Sequence, residues 1–305
     1  MRQVSANLQI ENVPSSVFAM RINWFALVFI APALLLVLMV SLYPVVDALT
    51  LSVFDTRFAQ RLDFIGTENY VELIRDPSIY QDIVNSFTYT FFSLAVVLPY
   101  GLGVALLLNR DLPIRGLYRT LAIMPWVFSQ TITALLWAWL INSDFGPVTH
   151  AVQFVTGTRP AVLSSPSGAM GALIGVNVWA SYPMATLLFL AALQTIPREL
   201  FEAAEVDGAG AVRRFFYITL PLIRHTALVV IIQLTLLYFN MVTLIYIFTG
   251  GGPIGETETL ALRVLKISFE DWELGRGAAL GVFITLVNLF FSLVYVRALR
   301  NPTDE

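Results

Sequence analysis

The stretch AMGALIGVNVWASYPMATLLFLAALQ, residues 169–194, runs for 26 residues without one Asp, Glu, Lys, Arg or His. A helix needs about 20 apolar residues to cross the hydrocarbon core of a bilayer. A surface helix of a soluble protein keeps a polar stripe on its solvent-facing side, and this stretch has none. The stretch therefore predicts a helix that spans a membrane.

Five further windows share this length and this freedom from charge: residues 24–46, 86–108, 120–141, 226–249 and 277–296. The chain is 57% hydrophobic and only 13% charged, whereas soluble domains are about 25% charged. We therefore predict an all-α polytopic membrane protein with six transmembrane helices. The composition excludes a soluble enzyme and a disordered regulator. A net charge of -3 without a basic block excludes a nucleic-acid binder.

The distribution of Lys and Arg predicts which loops face the cytoplasm. With six spans both termini lie on one side, and that side carries eleven Lys and Arg residues against seven on the other. We therefore expect the termini, the 109–119 turn and the 195–225 loop to be cytoplasmic. The loops 47–85, 142–168 and 250–276 then face outward.

Under this interpretation the chain has three parts. Residues 1–23 form a cytoplasmic N-terminal segment, residues 24–300 form the six-span domain, and residues 301–305 form a cytoplasmic tail. The first span is too long and begins too late for a cleaved signal peptide, so we expect it to be retained.

The spans contain no ionisable residue of the kind that proton-coupled carriers use as a relay. A P-loop needs the sequence Gly-x-x-x-x-Gly-Lys-Ser/Thr, and the only Lys of this sequence is Lys266, between Leu265 and Ile267, so we expect that the chain does not itself hydrolyse ATP. An ATP-driven transporter would need a separate ATPase subunit. Two other classes stay open: a stand-alone ion-coupled secondary carrier that binds sodium through backbone carbonyls, and a membrane scaffold without transport activity.

Catalytic and metal-binding residue types are scarce. Cys is absent and only two His are present, so we expect no disulfide, no thiolate nucleophile and no metal site. We predict no catalytic residue in this chain.

The 195–225 loop predicts two short helices joined at a glycine. Pro197 followed by Arg198 and Glu199 suits a helix start, and Gly208 suits a left-handed stop. A second helix is expected over 211–217. Four acidic residues surround the apolar centre of the first helix: Glu199, Glu202, Glu205 and Asp207. The negative inner leaflet repels such a helix, so we expect it to enter a cleft on a partner protein.

The spacing inside this loop resembles a family signature. Glu202-Ala203-Ala204, three residues, Gly208, nine residues and Ile218-x-Leu220-Pro221 are similar to the EAA motif of binding-protein-dependent ABC importer permeases. Three further segments resemble the carbohydrate class, with its maltose-type and glycerol-3-phosphate-type first permeases: Phe64–Tyr70 with Asp76-Pro77, Arg115–Arg119 with Met124-Pro125, and Phe248–Pro253 with Thr257–Thr259. The likeness covers about residues 24 to 300.

The resemblance implies the type I ABC importer permease fold, with a cytoplasmic coupling-helix hairpin in the 195–225 loop. It implies a bacterial inner-membrane complex with a second homologous permease, two ATPase subunits and an extracytoplasmic solute-binding protein or lipoprotein. ATP and Mg would bind to the ATPase subunits, and this chain would hold no cofactor. The residues that the resemblance assigns to ATPase coupling are Glu202, Ala203, Ala204, Asp207, Gly208, Leu220 and Pro221.

Polar and aromatic side chains at the middle of spans four and five are candidates for a solute pathway, because sugars stack on aromatic rings and bind amides and hydroxyls. In the resembled family these two spans contact the sugar. The candidates are Asn177, Trp179, Ser181, Tyr182, Met184, Gln233, Tyr238, Asn240 and Met241. Each has hydrogen bonding or packing between helices as its alternative role. Disaccharide, polyol and glycerophosphodiester solutes stay open.

Overall fold

The computed structural model describes residues 24–58, 60–111 and 113–299. Its helices are α1 (Trp24–Val37), α2 (Tyr43–Leu51), α3 (Glu68–Arg75), α4 (Pro77–Leu108), α5 (Arg115–Val127), α6 (Gln130–Leu140), α7 (Pro147–Thr156), α8 (Pro166–Gln194), α9 (Arg198–Val206), α10 (Ala211–Arg214), α11 (Leu220–Phe239), α12 (Thr243–Phe248), α13 (Leu260–Phe269) and α14 (Leu274–Leu299). Two π-helical segments, Leu38–Leu42 and Phe215–Thr219, join α1 to α2 and α10 to α11, and Val162–Ser164 forms a 3-10 turn. Strands β1 (Phe54–Arg57) and β2 (Gln60–Phe64) pair antiparallel.

Five helical stretches are long and apolar enough to cross a membrane: Val28–Leu51, Pro77–Leu108, Pro166–Gln194, Ala211–Phe239 and Leu274–Leu299. Counting α5 and α6 as one broken span, with 95° between them, gives six. The prediction of an all-α polytopic membrane protein is therefore confirmed. The side on which the termini lie stays a prediction.

The third span, expected over the window 120–141, is divided into two helices at Phe128 and Ser129. Phe128 has an extended backbone, with ψ at 136°, and this ends α5. Ser129 then begins α6, because its Oγ accepts a hydrogen bond from the N–H of Ile132 at 3.3 Å. A side chain that caps a new helix competes with continuation of the old one. The break lies within uncharged sequence, so hydropathy does not reveal it.

The predicted bounds of the fifth span are wrong at both ends. The helix runs continuously over Ala211–Phe239, whereas the predicted window is 226–249. It ends at Asn240, whose Nδ2 donates to the backbone oxygen of Leu236 at 2.7 Å. The window's last residues fall mostly in the separate helix α12.

Contacts divide the chain into two units, one up to Asp47 and one from Ala48 onward. In the first unit every side chain from residue 28 to residue 46 is exposed. Most of these side chains are large and apolar. An uninterrupted apolar surface of this kind is what a lipid environment tolerates and water does not.

The core of the second unit lies between α4 and α8. A Cβ added to Gly101 would lie 2.9 Å from the Cβ of Ala185, so only glycine allows this approach of the two helices. Thr186 on α8 donates its hydroxyl hydrogen to the backbone oxygen of Gly101 at 3.2 Å. Small residues and hydroxyl groups of this kind are typical of helix contacts in membranes.

Candidate functional site

A cavity of about 240 Å³ opens where the third span breaks. The break, α8 and the end of α11 form its walls, and the 240–244 segment closes it. Its lining residues are Trp126, Phe128, Ser129, Gln130, Thr133, Asn177, Ala180, Ser181, Met184, Leu237, Met241 and Leu244. Four of the predicted pathway residues are among them: Asn177, Ser181, Met184 and Met241. No lining side chain carries a charge, so the cavity suits a neutral polar molecule.

Two polar groups in the cavity wall are buried without a protein partner. The Nδ2 of Asn177 and the Oγ1 of Thr133 form no hydrogen bond among the described residues. Asn177 is 2% exposed and Thr133 is 0% exposed. Buried polar groups are normally satisfied, so these two atoms, which have almost no exposed surface in this conformation, are candidate hydrogen-bonding groups for a solute.

Ser181 and Tyr238 form a buried hydrogen bond with 2.6 Å between their oxygens. Ser181 also donates to the backbone oxygen of Asn177 at 2.6 Å. A carbonyl oxygen can only accept, so Ser181 has used its single hydrogen and Tyr238 must be the donor. Tyr238 therefore lies behind the cavity wall and holds Ser181 in place.

The structure does not bring the remaining predicted pathway residues into the cavity lining. Trp179 packs between Phe128 and Trp137, with ring centroids 6.2 and 5.6 Å away. The ring of Tyr182 packs edge-on against Tyr100. Gln233 is exposed, and the Nδ2 of Asn240 donates to Oδ1 of Asn288 on α14 at 3.2 Å.

Sequence reasoning missed the part of the cavity that the third span supplies. Five lining residues come from the break between α5 and α6: Trp126, Phe128, Ser129, Gln130 and Thr133. The missed signal was the polar run Ser129-Gln130-Thr131 in the middle of an apolar window.

The 195–225 loop folds as predicted in its first part. Helix α9 begins after Pro197 and ends before Asp207, and Gly208 has a φ of 75°. Phe201 packs against the core, whereas the carboxylate of Glu202 is on an exposed residue. The second helix does not stop at residue 217, because a π-helical segment carries it into α11.

Contacts within this loop hold α9 against α10. Arg214 on α10 forms an ion pair with Glu205 on α9 at 3.2 Å. The N–H of Ala209 donates to the backbone oxygen of Ala204 at 2.8 Å and so closes the last turn of α9. Ala203 is exposed and Ala204 is half-buried, while Leu220 and Pro221 lie in the first turn of α11.

At the other end of the spans, an ion network joins α4, α13 and the loop before α13. Arg263 Nε lies 2.7 Å from Asp82 Oδ2 and 3.1 Å from Glu258 Oε1. Lys266 Nζ lies 2.8 Å from Glu258 Oε2 and donates to the backbone oxygen of Gly250 at 2.9 Å. The side chains of Asp82 and Glu258 are 2% and 7% exposed. This network was not among the predicted site residues.

Asp76 fixes the start of α4 beside the same network. The N–H and the hydroxyl of Ser78 donate to its Oδ1 at 3.0 and 2.7 Å, and Arg276 on α14 lies 2.9 Å from Oδ2. Partial burial raises the pKa of Asp76, but these hydrogen bonds and the charges of Arg276 and Arg263 outweigh burial and hold the pKa below its usual value.

Comparison with known proteins gives one family and several relatives. The family described as "Binding-protein-dependent transport system inner membrane component" matches residues 78–300. The sulfoquinovosyl glycerol transport system permease protein SmoG of Agrobacterium fabrum is 33% identical, over 90% of this chain and 90% of its own length. The trehalose/maltose transport system permease protein MalF of Thermococcus litoralis is 32% identical, over 90% and 93%. The sn-glycerol-3-phosphate transport system permease protein UgpA of Pectobacterium atrosepticum is 31% identical, over 93% and 97%.

Among solved structures, a chain of a bacterial ABC transporter involved in the import of the acidic polysaccharide alginate aligns with a TM-score of 0.77. It is 23% identical and covers 92% of this chain and 96% of its own. At this identity the likeness supports the fold.

Proposed function

The chain belongs to the family of binding-protein-dependent transport system inner membrane components, which are non-catalytic permeases of ABC importers, and from this premise we propose that it forms half of the translocation pathway for a sugar or sugar-like solute. One observation carries the proposal: an uncharged cavity between spans three, four and five contains two unpaired buried groups, on Asn177 and Thr133. The relatives are named for sulfoquinovosyl glycerol, for trehalose or maltose, and for sn-glycerol-3-phosphate. Each of these solutes carries hydroxyl groups.

The chemistry of the cavity favours hydroxyl groups over a free anion. Asn177 Nδ2 donates to a hydroxyl oxygen, and Thr133 can donate or accept. Trp126 and Phe128 offer aromatic faces against which the apolar face of a sugar ring stacks. We expect the part of the solute inside this chain to be neutral, with any charged part facing the sister permease.

The 195–225 loop is the proposed point of contact with an ATPase subunit. Glu202 presents an exposed carboxylate, and Ala203 and Ala204 allow close approach of the partner. Asp207 and Gly208 end the helix, and Leu220 and Pro221 begin the span that the loop moves. The Arg214–Glu205 ion pair and the half-buried Phe201 join α9 to α10 and to the core.

The remaining features of the proposal concern location and partners. Residues 24–300 form the permease domain in the inner membrane, with both termini, 1–23 and 301–305, in the cytoplasm. The working complex contains this chain, a sister permease, two ATPase subunits that bind ATP and Mg, and an extracytoplasmic binding protein. ATP binding and the loaded binding protein each stabilise the outward-open state, and hydrolysis returns the pathway to the inward-open state.

The test is reconstitution of the complex in liposomes with binding protein outside and ATP inside. We expect uptake of a hydroxylated solute that requires ATP and the binding protein. Glu202→Ala should abolish uptake and solute-stimulated ATPase activity, whereas Glu199→Ala, a second exposed acid on α9, should leave both within about twofold because isolated surface charges contribute little.

Two outcomes contradict the proposal. Gradient-driven accumulation by this chain alone would assign it to the ion-coupled secondary carriers. Normal uptake in the Glu202→Ala complex would remove the coupling role of that residue.

A further inference from the structure

A second polar cavity, of about 460 Å³, lies at the opposite end of the spans from the ion network. It is enclosed by the end of α4, the turn before α5, the end of α8 and the beginning of α9. Three arginines, Arg110, Arg115 and Arg198, are among its lining residues. No proposed step of transport uses this cavity.

Within the part of the chain that the structure describes, the positive charge in this cavity is only partly balanced by acidic side chains. Among the residues that the structure describes, none of these three arginines lies within ion-pair distance of a carboxylate. The cavity lining holds a single acid, Asp111, against the three positive charges. Positive charges brought together around a concave surface favour binding of an anion.

Two of the three arginines are available to a ligand. Arg110 and Arg198 are exposed. Arg115 is half-buried, and its Nε donates to the backbone oxygen of Leu108 at 3.0 Å, where it caps the end of α4. Because of that hydrogen bond Arg115 has a structural role. Arg110 and Arg198 are therefore the principal candidates for binding a ligand.

The floor of the cavity is apolar, since Ile196 is buried and Phe201 packs against the core. Arginine forks match phosphate oxygens in geometry and charge. Arginines next to the cytoplasmic ends of spans attract anionic lipids by about 1 kcal/mol each. A ligand with a phosphate group next to a short apolar chain would match both the positive charge and the apolar floor of this cavity.

We propose that Arg110 and Arg198 bind the phosphate of an anionic ligand at the base of the coupling loop, and that a phospholipid headgroup or a soluble phosphate supplies it. The inference rests on the proposed orientation of this loop toward the cytoplasm. Because Arg198 begins α9 and Arg110 follows α4, a bound phosphate links the coupling helix to the end of the second span. Occupancy of the cavity then restricts how far α9 moves relative to the bundle.

The experiment uses the full-length chain with every subunit that co-purifies, in neutral detergent micelles. Native mass spectrometry counts bound phosphatidylglycerol, with phosphatidylcholine as the neutral comparison. We expect Arg110→Gln/Arg198→Gln to weaken phosphatidylglycerol binding at least about tenfold, the loss predicted for two arginines. Arg297→Gln, at the exposed last turn of α14 near the same end of the bundle, should change binding less than about twofold.

A second arm identifies the source of the phosphate. Inorganic phosphate is added to delipidated protein, and protection against thermal inactivation is measured. Protection that disappears in the double variant, without a change in phosphatidylglycerol binding, assigns the cavity to a soluble phosphate. Loss of phosphatidylglycerol binding assigns it to a lipid.

Three results overturn the inference. The first is that neither ligand distinguishes the double variant from the wild type. The second is an equal loss in Arg297→Gln. The third is loss of the ATPase subunit from the double variant with both ligands still bound, which would assign the arginines to a protein contact. These measurements use no transported solute, so failed uptake with normal phosphatidylglycerol binding contradicts only the proposed function.

Discussion

Tyr238 on α11 donates its hydroxyl hydrogen to Ser181 on α8, across 2.6 Å. Ser181 donates in turn to the backbone oxygen of Asn177, one turn earlier on α8. This chain of bonds connects the helix that follows the coupling loop to the wall of the cavity. A displacement of α11 therefore acts directly on side chains that line the cavity, Ser181 and Asn177.

Tyr238→Phe removes the hydrogen bond to Ser181 and keeps the aromatic ring. We expect the KM for uptake to rise about threefold to tenfold and stability to fall by about 1 kcal/mol, the usual value of one buried hydrogen bond. Uptake kinetics and thermal inactivation of the purified complex measure the two effects. Tyr246→Phe, on the 45% exposed Tyr246 of α12, is the matched control and should change neither. An unchanged KM for uptake would mean that Tyr238 contributes only to packing.

Asn177→Leu and Thr133→Val test the unpaired groups of the cavity wall. Each should lower solute affinity about tenfold, since each removes one hydrogen bond. Neither should lower stability, because both groups are buried without a protein partner. Thr131→Val on the exposed face of α6 is the control. Reduced stability with unchanged affinity would assign Asn177 and Thr133 to the fold.

Gly208→Ala tests the turn after the coupling helix. A side chain at a φ of 75° costs about 1–2 kcal/mol, whereas Gly210, with a φ of -66°, accepts alanine without this strain. A Cβ at either glycine would meet no atom within 4 Å, so the two variants differ in backbone conformation alone. We expect Gly208→Ala to reduce solute-stimulated ATPase activity severalfold and Gly210→Ala to preserve it. Equal activities would mean that the left-handed turn is not needed for coupling.

Asp82→Asn tests the ion network at the start of α4. It weakens the shorter ion pair of the half-buried Arg263, which keeps only Glu258 as a charged partner, so we expect stability to fall by about 1–3 kcal/mol. Asp63→Asn on the exposed strand β2 should have no effect. Combining Asp82→Asn with Arg263→Gln should restore part of the loss. An additive decrease in the double variant would show that the two residues do not act as a pair.

The local sequence predicted that the spans exist, and it predicted the bounds of α9 in the 195–225 loop. Freedom from charge over 20 or more residues is sufficient to identify a span. The bounds of α9 follow from Pro197 and Gly208, whose backbone preferences act within a few residues. Those signals do not depend on the rest of the fold.

The breaks at Phe128 and Asn240 escaped prediction for a physical reason. Both lie in uncharged sequence, and at each break a side chain bonds to the nearby backbone. Ser129 caps the start of α6, and Asn240 bonds to the last turn of α11. The cavity depends on the first break, so its third-span wall escaped prediction as well. The pair Asp82–Arg263 joins residues 181 positions apart, a distance over which one sequence carries no pairing information.

The uninterrupted helix over Ala211–Phe239 is 29 residues long, which corresponds to about 43 Å. One end carries Arg214, the ion-pair partner of Glu205 on α9, and the other carries Tyr238. If α9 binds an ATPase subunit as proposed, a displacement of that end reaches the cavity wall along one helix, through the π-helical segment Phe215–Thr219 and α11. The bending stiffness of this helix, together with the hydrogen bond from Tyr238 to Ser181, then sets how closely the cavity wall follows a movement of α9.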